Sequence, residues 1–149
     1  MEAIRKAQPT DAEALQELYM HHLTAYPPAE HQDTGKWADL LRRFAENENY
    51  HILVLEADSV VVSSVTLVII ENLTHNMRPY AVIENVVTHA QFRGKHFATR
   101  LLGEASRIAS ERGCYKIMLM TGSKRDSTLR FYENAGFDRH SKTAFQKRL

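Results

Sequence analysis

The sequence predicts a single α/β domain in which helices pack on the faces of a mixed β-sheet. Three observations support this fold class. The 149 residues suffice for one buried core and are too few for two, and runs of β-branched residues alternate with segments of helical periodicity. A strand, helix, strand succession near the C-terminal end requires a crossover and therefore a parallel strand pair. The predicted order over residues 1–149 is β-α-α-β-β-β-α-β-α-β.

The N-terminal third of the chain is predicted to form one strand and two helices. Residues 4–7 form a short strand, and Thr10 and Glu13 have the spacing of a capping box, which starts a helix. Two consecutive prolines at 27–28 end that helix near Tyr26. A second helix spans residues 36–47. Its inner face carries Trp37, Leu40, Leu41 and Phe44.

The middle of the chain is predicted to be extended. Residues 50–56 and 60–70 are rich in β-branched side chains and are separated by a short turn, which predicts a hairpin of antiparallel strands. Residues 80–88 form a third such strand after a polar loop over residues 72–79. No Gly/Ser linker or repeat interrupts the pattern, so we expect one continuous domain.

The last third of the chain is predicted to contain two helices and two strands. Apolar residues recur at helical spacing from Leu101 to Ala109, and Gly113 stands where a left-handed residue would end that helix. The pattern downstream predicts a buried strand over residues 115–120, a helix over residues 127–135 closed by Gly136, and a final strand over residues 137–146.

The composition argues against several classes of function. Lys and Arg total 19 against 18 Asp and Glu, a net charge of +1, so the chain lacks the basic field of a nucleic-acid-binding protein. Its longest apolar stretch, residues 60–70, is shorter than the roughly 20 residues of a membrane span. With Cys114 as the single cysteine and no signal sequence, we expect a cytoplasmic protein. The eight histidines have no metal-binding spacing, so no metal is expected.

The segment over residues 83–98 has the features of a phosphate cradle. It is a strand that runs through a short loop directly into an amphipathic helix, whose first amide groups and dipole attract an anion. Arg93 and Lys95 add positive charge at that helix start, while Gly94 and Ala98 let a bulky ligand approach the backbone. The Walker A and dinucleotide-binding glycine motifs do not occur in the sequence. The segment therefore predicts a pyrophosphate site of another type.

This segment resembles the acetyl-CoA-binding motif of the GNAT acyltransferase superfamily. That motif reads Gln/Arg-x-x-Gly-x-Gly/Ala, and Arg93 and Ala98 match its first and last positions. His96 stands where the family usually has glycine; a residue in helical geometry there can still donate its amide to the ligand.

The resemblance extends over nearly the whole chain. Residues 131–137 are similar to the Phe-Tyr-x-x-x-Gly-Phe element near the family's C-terminus, and residues 4–7 and 11–13 to its opening strand and helix. Within the family, residues 79–87 and 114–117 are most similar to glucosamine-6-phosphate N-acetyltransferases and their bacterial relatives.

The resemblance implies that the chain is an N-acetyltransferase with acetyl-CoA as acyl donor. In this family the central strands splay apart, and the freed backbone pairs with the pantetheine arm. The implied cofactor-binding residues are Val86, Val87, Thr88, Arg93, Gly94, Lys95, His96, Phe97, Ala98, Thr128 and Tyr132. The amine attacks the thioester directly, and a neutral amine is required, so Glu84 is the candidate base. Tyr132 matches the family's tyrosine that stabilises the departing thiolate.

The acceptor is expected to be a primary amine of a small molecule, with an amino sugar phosphate as the leading candidate. Candidate contacts are Tyr26, Trp37, Arg78, Glu84 and Asn85. Three alternatives stay open: acetylation of a protein lysine, acetylation of a protein N-terminus, and a sensor that binds CoA without turnover. Tyr132 also fits a half-buried structural aromatic, and Glu84 a solvated carboxylate. Dimers are common in the family, so the resemblance admits a homodimer; nucleic acid and membrane partners are not expected.

Overall fold

The computed structural model describes residues 1–23 and 32–149 and confirms the predicted mixed α/β fold. A five-stranded sheet has the order β1-β2-β3-β4-β5, with the first four strands antiparallel and β5 parallel to β4. The strands are β1 (Glu2–Lys6), β2 (Tyr50–Ala57), β3 (Val60–Ile70), β4 (Tyr80–Thr88) and β5 (Ile117–Leu119). The helices are α1 (Ala12–Leu18), α2 (Thr34–Glu46), the single turn α3 (Thr74–Met77), α4 (Phe97–Glu111) and α5 (Asp126–Asn134).

The first helix begins differently from the prediction. A 3-10 turn over Pro9–Asp11 precedes α1, and the Asp11 carboxylate accepts a hydrogen bond of 2.7 Å from the Gln8 amide. The predicted capping role of Thr10 is therefore wrong, because Pro9 opens the turn earlier and Asp11 caps it. After α1 a π-helical turn continues over Tyr19–Leu23. The predicted helix end near Tyr26 lies outside the described residues.

The hairpin and the second helix agree with the prediction in outline. β2 and β3 pair antiparallel through a turn at Asp58 and Ser59, whose φ angles of 49° and 67° suit a tight hairpin. α2 begins at Thr34, two residues earlier than expected, because the Asp33 carboxylate caps its first amides. One residue of its predicted inner face, Leu40, is 38% exposed and does not belong to the core.

The two faces of the sheet bury separate cores. The face covered by α4, called here the α4 face, buries fourteen apolar residues, with Leu67 and Leu101 fully enclosed. The face covered by α1 and α2, called the α1/α2 face, buries six, among them Leu15 and Val54. The sheet is therefore covered on both sides, as the sequence predicts. None of the described helices is long and apolar enough to cross a membrane.

The C-terminal end holds the main departure from the prediction. Gly113 and Gly136, at φ 77° and 98°, end α4 and α5 as expected. β5, however, has only three half-buried residues, and the predicted final strand over residues 137–146 is wrong, because residues 138–149 are exposed and form no strand. The Asp138 carboxylate instead accepts a bond from the His140 amide, and Arg139 pairs with Glu133 of α5. The start of this segment is thus held by local turn contacts and by an ion pair with α5.

Candidate active site

The site begins where β4 separates from β5. Their pairing ends at Ile83 and Leu119, whereas β4 continues to Thr88. On the β3 side, Thr66 pairs with Glu84 but Ser64 pairs with Val87, so β4 carries one extra residue and bulges. Asn85 takes the left-handed conformation at the bulge, with φ 51°. The β5-facing backbone groups of residues 84–88 are thus released from strand pairing, which matches the splay implied by the resemblance.

A cleft of about 720 Å³ lies between this splayed strand and the starts of α4 and α5. Its size is within the usual range of ligand pockets. Every predicted cofactor-binding residue except Lys95 lines it, and the Lys95 ammonium instead lies 5.0 Å from the Phe92 ring centre. The cleft is also lined by residues that sequence reasoning did not select, namely His22, Phe92, Thr99, Ser127 and Phe131. Thr99 and Ser127 lie in the first turns of α4 and α5. Because a helix start has unpaired amide donors that attract an anion, their position in the sequence was the signal that could have identified them.

The loop before α4 exposes the amides of that helix to the cleft. Gly94 has φ 80°, and His96, the N-cap residue, is left-handed at φ 60° and ψ 20°. The expectation that His96 is already helical is therefore wrong. The left-handed geometry also explains why glycine is preferred there, because a side chain costs about 1–2 kcal/mol in that region. His96 makes no side-chain cap hydrogen bond, so the first amides of α4 have no side-chain acceptor from their N-cap.

Arg93 and His22 fasten the π-helical turn to the rim of the cleft. Arg93 donates from Nε to the Thr88 carbonyl at 3.3 Å and from a terminal nitrogen to the His22 carbonyl at 3.4 Å. The Ala90 amide donates to Nδ1 of His22 at 3.2 Å, and the His22 ring packs on His89 with centroids 4.1 Å apart. Burial and the neighbouring positive charges of His89 and Arg93 lower the pKa of His22, which favours the neutral ring that this bond requires.

The charge of Glu84 acts on Tyr132, the other candidate catalytic residue. Burial raises the pKa of the Tyr132 phenol, and the negative charge of Glu84 raises it further. Tyr132 therefore stays protonated at neutral pH and has a proton to donate. Its ring also packs edge-to-face on Phe131 and Phe137, at centroid distances of 5.0 and 6.4 Å, which fixes its direction from α5. Glu84 is exposed on the α1/α2 face.

The remaining candidate acceptor residues are scattered. Trp37 packs edge-to-face on Tyr19 at 5.8 Å within the α1/α2 core. Arg78 lies at the opposite end of β4, where it donates to the carbonyls of Gly113 and Cys114. Tyr26 lies outside the described residues, and Asn85 is exposed at the bulge. Glu84 and Asn85 are thus the acceptor candidates that the structure places at the splay.

Comparisons with known proteins agree with this architecture. Residues 13–137 match the family model described as "Acetyltransferase (GNAT) family". The glucosamine 6-phosphate N-acetyltransferase of Trypanosoma brucei brucei is 29% identical over 139 residues, which cover 93% of this chain and 90% of that protein. A candidate acetyltransferase from Agrobacterium tumefaciens str. C58 has a solved structure that is 35% identical, with a TM-score of 0.87 and 99% of both chains covered. A Trypanosoma brucei acetyltransferase structure is 27% identical, with a TM-score of 0.78 over 99% of this chain and 100% of that one.

Proposed function

Because the chain belongs to the GNAT acetyltransferase family, we propose that it transfers the acetyl group of acetyl-CoA to the primary amine of a phosphorylated amino sugar. The observation that carries this proposal is the cleft itself, where the released end of β4, the start of α4 and Tyr132 converge. The amino sugar is supported by the T. brucei brucei relative, which aligns with 93% of this chain.

The residues of the cleft fit coenzyme A. The first amides of α4 and the loop around Gly94 would hold the diphosphate, since a helix start carries unpaired donors and positive potential. Arg93 lines the same end, and its guanidinium adds donors. The backbone of residues 86–88 would pair with the amides of the pantetheine arm, because β5 does not occupy that side of β4. When bound, the coenzyme supplies the activated acetyl thioester.

Two side chains at the splay, Glu84 and Tyr132, each carry out one of the two proton transfers of the reaction. A new bond forms between the amine nitrogen and the acetyl carbon, and the carbon–sulfur bond breaks. The Glu84 carboxylate takes the proton that the amine loses, and the Tyr132 hydroxyl gives its proton to the departing thiolate. A backbone amide around Val86 or Val87 stabilises the negative charge that develops on the carbonyl oxygen. The raised pKa of Tyr132 suits this role, because the phenol holds its proton until the thiolate forms.

The acceptor reaches this point from the α1/α2 face. Glu84 points to that face, since its strand partner is Thr66, whereas Tyr132 packs with the core of the α4 face. Donor and acceptor would thus meet from opposite sides of the bulged strand. This arrangement allows direct transfer without an acetylated enzyme, in agreement with the direct attack that the resemblance implies.

The proposal is tested by measuring free thiol released from acetyl-CoA with a panel of amines, with the acetylated product identified by mass spectrometry. The panel contains glucosamine 6-phosphate, unphosphorylated glucosamine, a polyamine, a free amino acid and a lysine peptide. We expect the highest kcat/KM with glucosamine 6-phosphate. Preference for the peptide would indicate a protein modifier instead. Calorimetric binding of acetyl-CoA without thiol release from any amine would indicate a sensor.

A further inference from the structure

A second histidine takes part in the contact between the π-helical turn and the loop that follows β4. The His22 ring packs on His89 with centroids 4.1 Å apart, and His89 in turn packs edge-to-face on Phe92. Nδ1 of His89 accepts from the Gln91 amide at 3.2 Å, the same distance at which Nδ1 of His22 accepts from the Ala90 amide. Two consecutive backbone amides of the loop are therefore held by two adjacent imidazole rings.

The bond from the Ala90 amide needs a neutral His22 ring with its proton on Nε2. A protonated imidazole donates from both nitrogens and has no acceptor left. Among the described residues, the ionisable groups that act on His22 are His21 and Glu17 on its own side and His89 and Arg93 on the loop. Partial burial and the three cationic groups lower the pKa of His22, and Glu17 raises it less. These surroundings favour the neutral ring.

The loop held in this way carries Arg93 into the cleft, which His22 also lines. His22 binds the loop twice, through its ring to the Ala90 amide and through its carbonyl to a terminal nitrogen of Arg93. A guanidinium has five N–H donors. Two of those of Arg93 are bound to the carbonyls of Thr88 and His22, which leaves three without a partner among residues 1–23 and 32–149. An anion in the cleft would find these donors already oriented.

We propose that His22 is a positioning residue of the phosphate cradle, whose neutral Nδ1 holds the Ala90 amide so that the loop presents Arg93 to the diphosphate of acetyl-CoA. This assignment rests on the proposed function, in which the cleft binds acetyl-CoA. His22 acts through the loop and not on the reacting atoms. Because the pKa of His22 is lowered, the contact is present at neutral pH and is lost as the pH falls through the lowered value.

Three substitutions of His22 test the acceptor atom. The side-chain oxygen of asparagine is as many bonds from Cα as Nδ1 of histidine, whereas that of glutamine is one bond further. His22→Asn therefore keeps an acceptor for the Ala90 amide, and His22→Gln and His22→Ala do not. We expect the dissociation constant for acetyl-CoA, measured by calorimetry at neutral pH, to change less than about twofold in His22→Asn and to rise roughly threefold to tenfold in the other two. Any other order of the three variants overturns the proposal.

His21→Asn is the matched control. His21 is exposed on the same turn, and its Nε2 lies 3.4 Å from the Glu17 carboxylate of α1. We expect its affinity for acetyl-CoA to equal that of the wild type, and the urea midpoint of unfolding to be the same in all four variants. A loss of affinity in His21→Asn as large as in His22→Ala would show that the turn as a whole sets the affinity, and would overturn the proposal.

A pH titration of the protein without cofactor tests the contact directly. As the pH falls from about 8 to about 5, a range that brackets the ordinary pKa of histidine, we expect the Ala90 amide resonance in heteronuclear NMR spectra to shift as His22 gains its proton. We expect a much smaller shift in His22→Asn. An equal shift in that variant would belong to His89, and either this result or a constant resonance in the wild type overturns the proposal. The titration needs neither acetyl-CoA nor an amine, so failure of the contact and failure of the proposed function are told apart.

Discussion

The two faces of the sheet differ in what they bury. The α4 face encloses fourteen apolar residues and the buried Ser63, whose hydroxyl is hydrogen-bonded to the Val87 carbonyl. The α1/α2 face encloses six apolar residues together with two buried polar residues of β3, Ser64 and Thr66. Because more apolar surface is buried there, we expect the α4 face to contribute most of the stability. Tyr132 packs against the same core and lines the cleft. On the α1/α2 face, the buried Thr66 is the strand partner of Glu84. The larger core thus lies on the side where the acyl donor would bind, called here the donor side, and the smaller core lies on the side from which the acceptor would come.

The largest expected effect tests the donor side chemically. Tyr132→Phe removes one hydroxyl and keeps the ring in its contacts with Phe131 and Phe137. We expect kcat to fall by roughly 10²–10⁴-fold, since the departing thiolate loses its proton donor. The affinity for acetyl-CoA, measured by calorimetry, should change little because the α4 cradle is intact.

Tyr115→Phe serves as the control for that experiment. Tyr115 stacks on His75 with ring centroids 3.9 Å apart, away from the cleft. We expect its kcat to equal that of the wild type. Activity of Tyr132→Phe close to the wild-type value would show that Tyr132 is only a structural aromatic, and the donor face would then contribute packing alone.

The second prediction compares the two cores directly. Leu101 of α4 is fully buried in the larger core, and Leu41 of α2 is 6% exposed in the smaller one. Truncation of a buried leucine to alanine costs about 2–5 kcal/mol, depending on how far the site collapses around the cavity. We expect Leu101→Ala to fall at the upper end and Leu41→Ala at the lower end, as measured by urea unfolding at equilibrium. Equal losses would contradict the view that stability is concentrated on the α4 face.

The third prediction concerns a charged contact at the edge of the α1/α2 face. Burial opposes ionisation of Asp11, but hydrogen bonds from Arg5 and from the Gln8 amide outweigh it, and the pKa of Asp11 is lowered in the folded protein. A carboxylate with a lowered pKa contributes stability above its unfolded value, near 3.9, and loses it as the pH falls through the folded value. We expect Asp11→Asn to cost about 1–3 kcal/mol at neutral pH.

The pH dependence is the control for that substitution. The difference in unfolding free energy between Asp11→Asn and the wild type should shrink as the pH falls from about 4 through the lowered pKa of folded Asp11, because the unfolded and then the folded wild type take up a proton on this carboxyl. Asp58→Asn is the matched variant, since Asp58 pairs with the exposed N-terminus, and we expect it to change stability little. A difference for Asp11→Asn that does not vary with pH would show that the charge is not what Asp11 contributes.

Local signals in the sequence account for most of the fold and for the cofactor side of the site. The β2–β3 hairpin, α4 and the cradle at Gly94 are each encoded by contiguous residues, so periodicity and turn residues suffice to find them. The strand over residues 137–146 is predicted from propensity alone, but a strand also needs a partner edge, and the segment instead makes local contacts such as the turn at Asp138. His22 reaches the cleft only through tertiary packing of the π-helical turn, which no spacing along the chain reveals.

The smallest expected effect concerns a strained backbone position at the start of α4. His96 adopts a left-handed conformation at the start of α4. Glycine adopts this conformation without strain because it has no Cβ atom. We expect His96→Gly to change stability by no more than about 1 kcal/mol, because the relieved strain is offset by the greater entropy of the unfolded chain. We also expect tighter binding of acetyl-CoA by calorimetry, since the backbone approaches the diphosphate more closely. His96→Ala separates backbone from ring: it keeps the strain and removes the imidazole. Weaker binding in both variants would mean that the ring itself contacts the phosphates, and that this chain replaced the backbone approach favoured in its family with a side-chain donor.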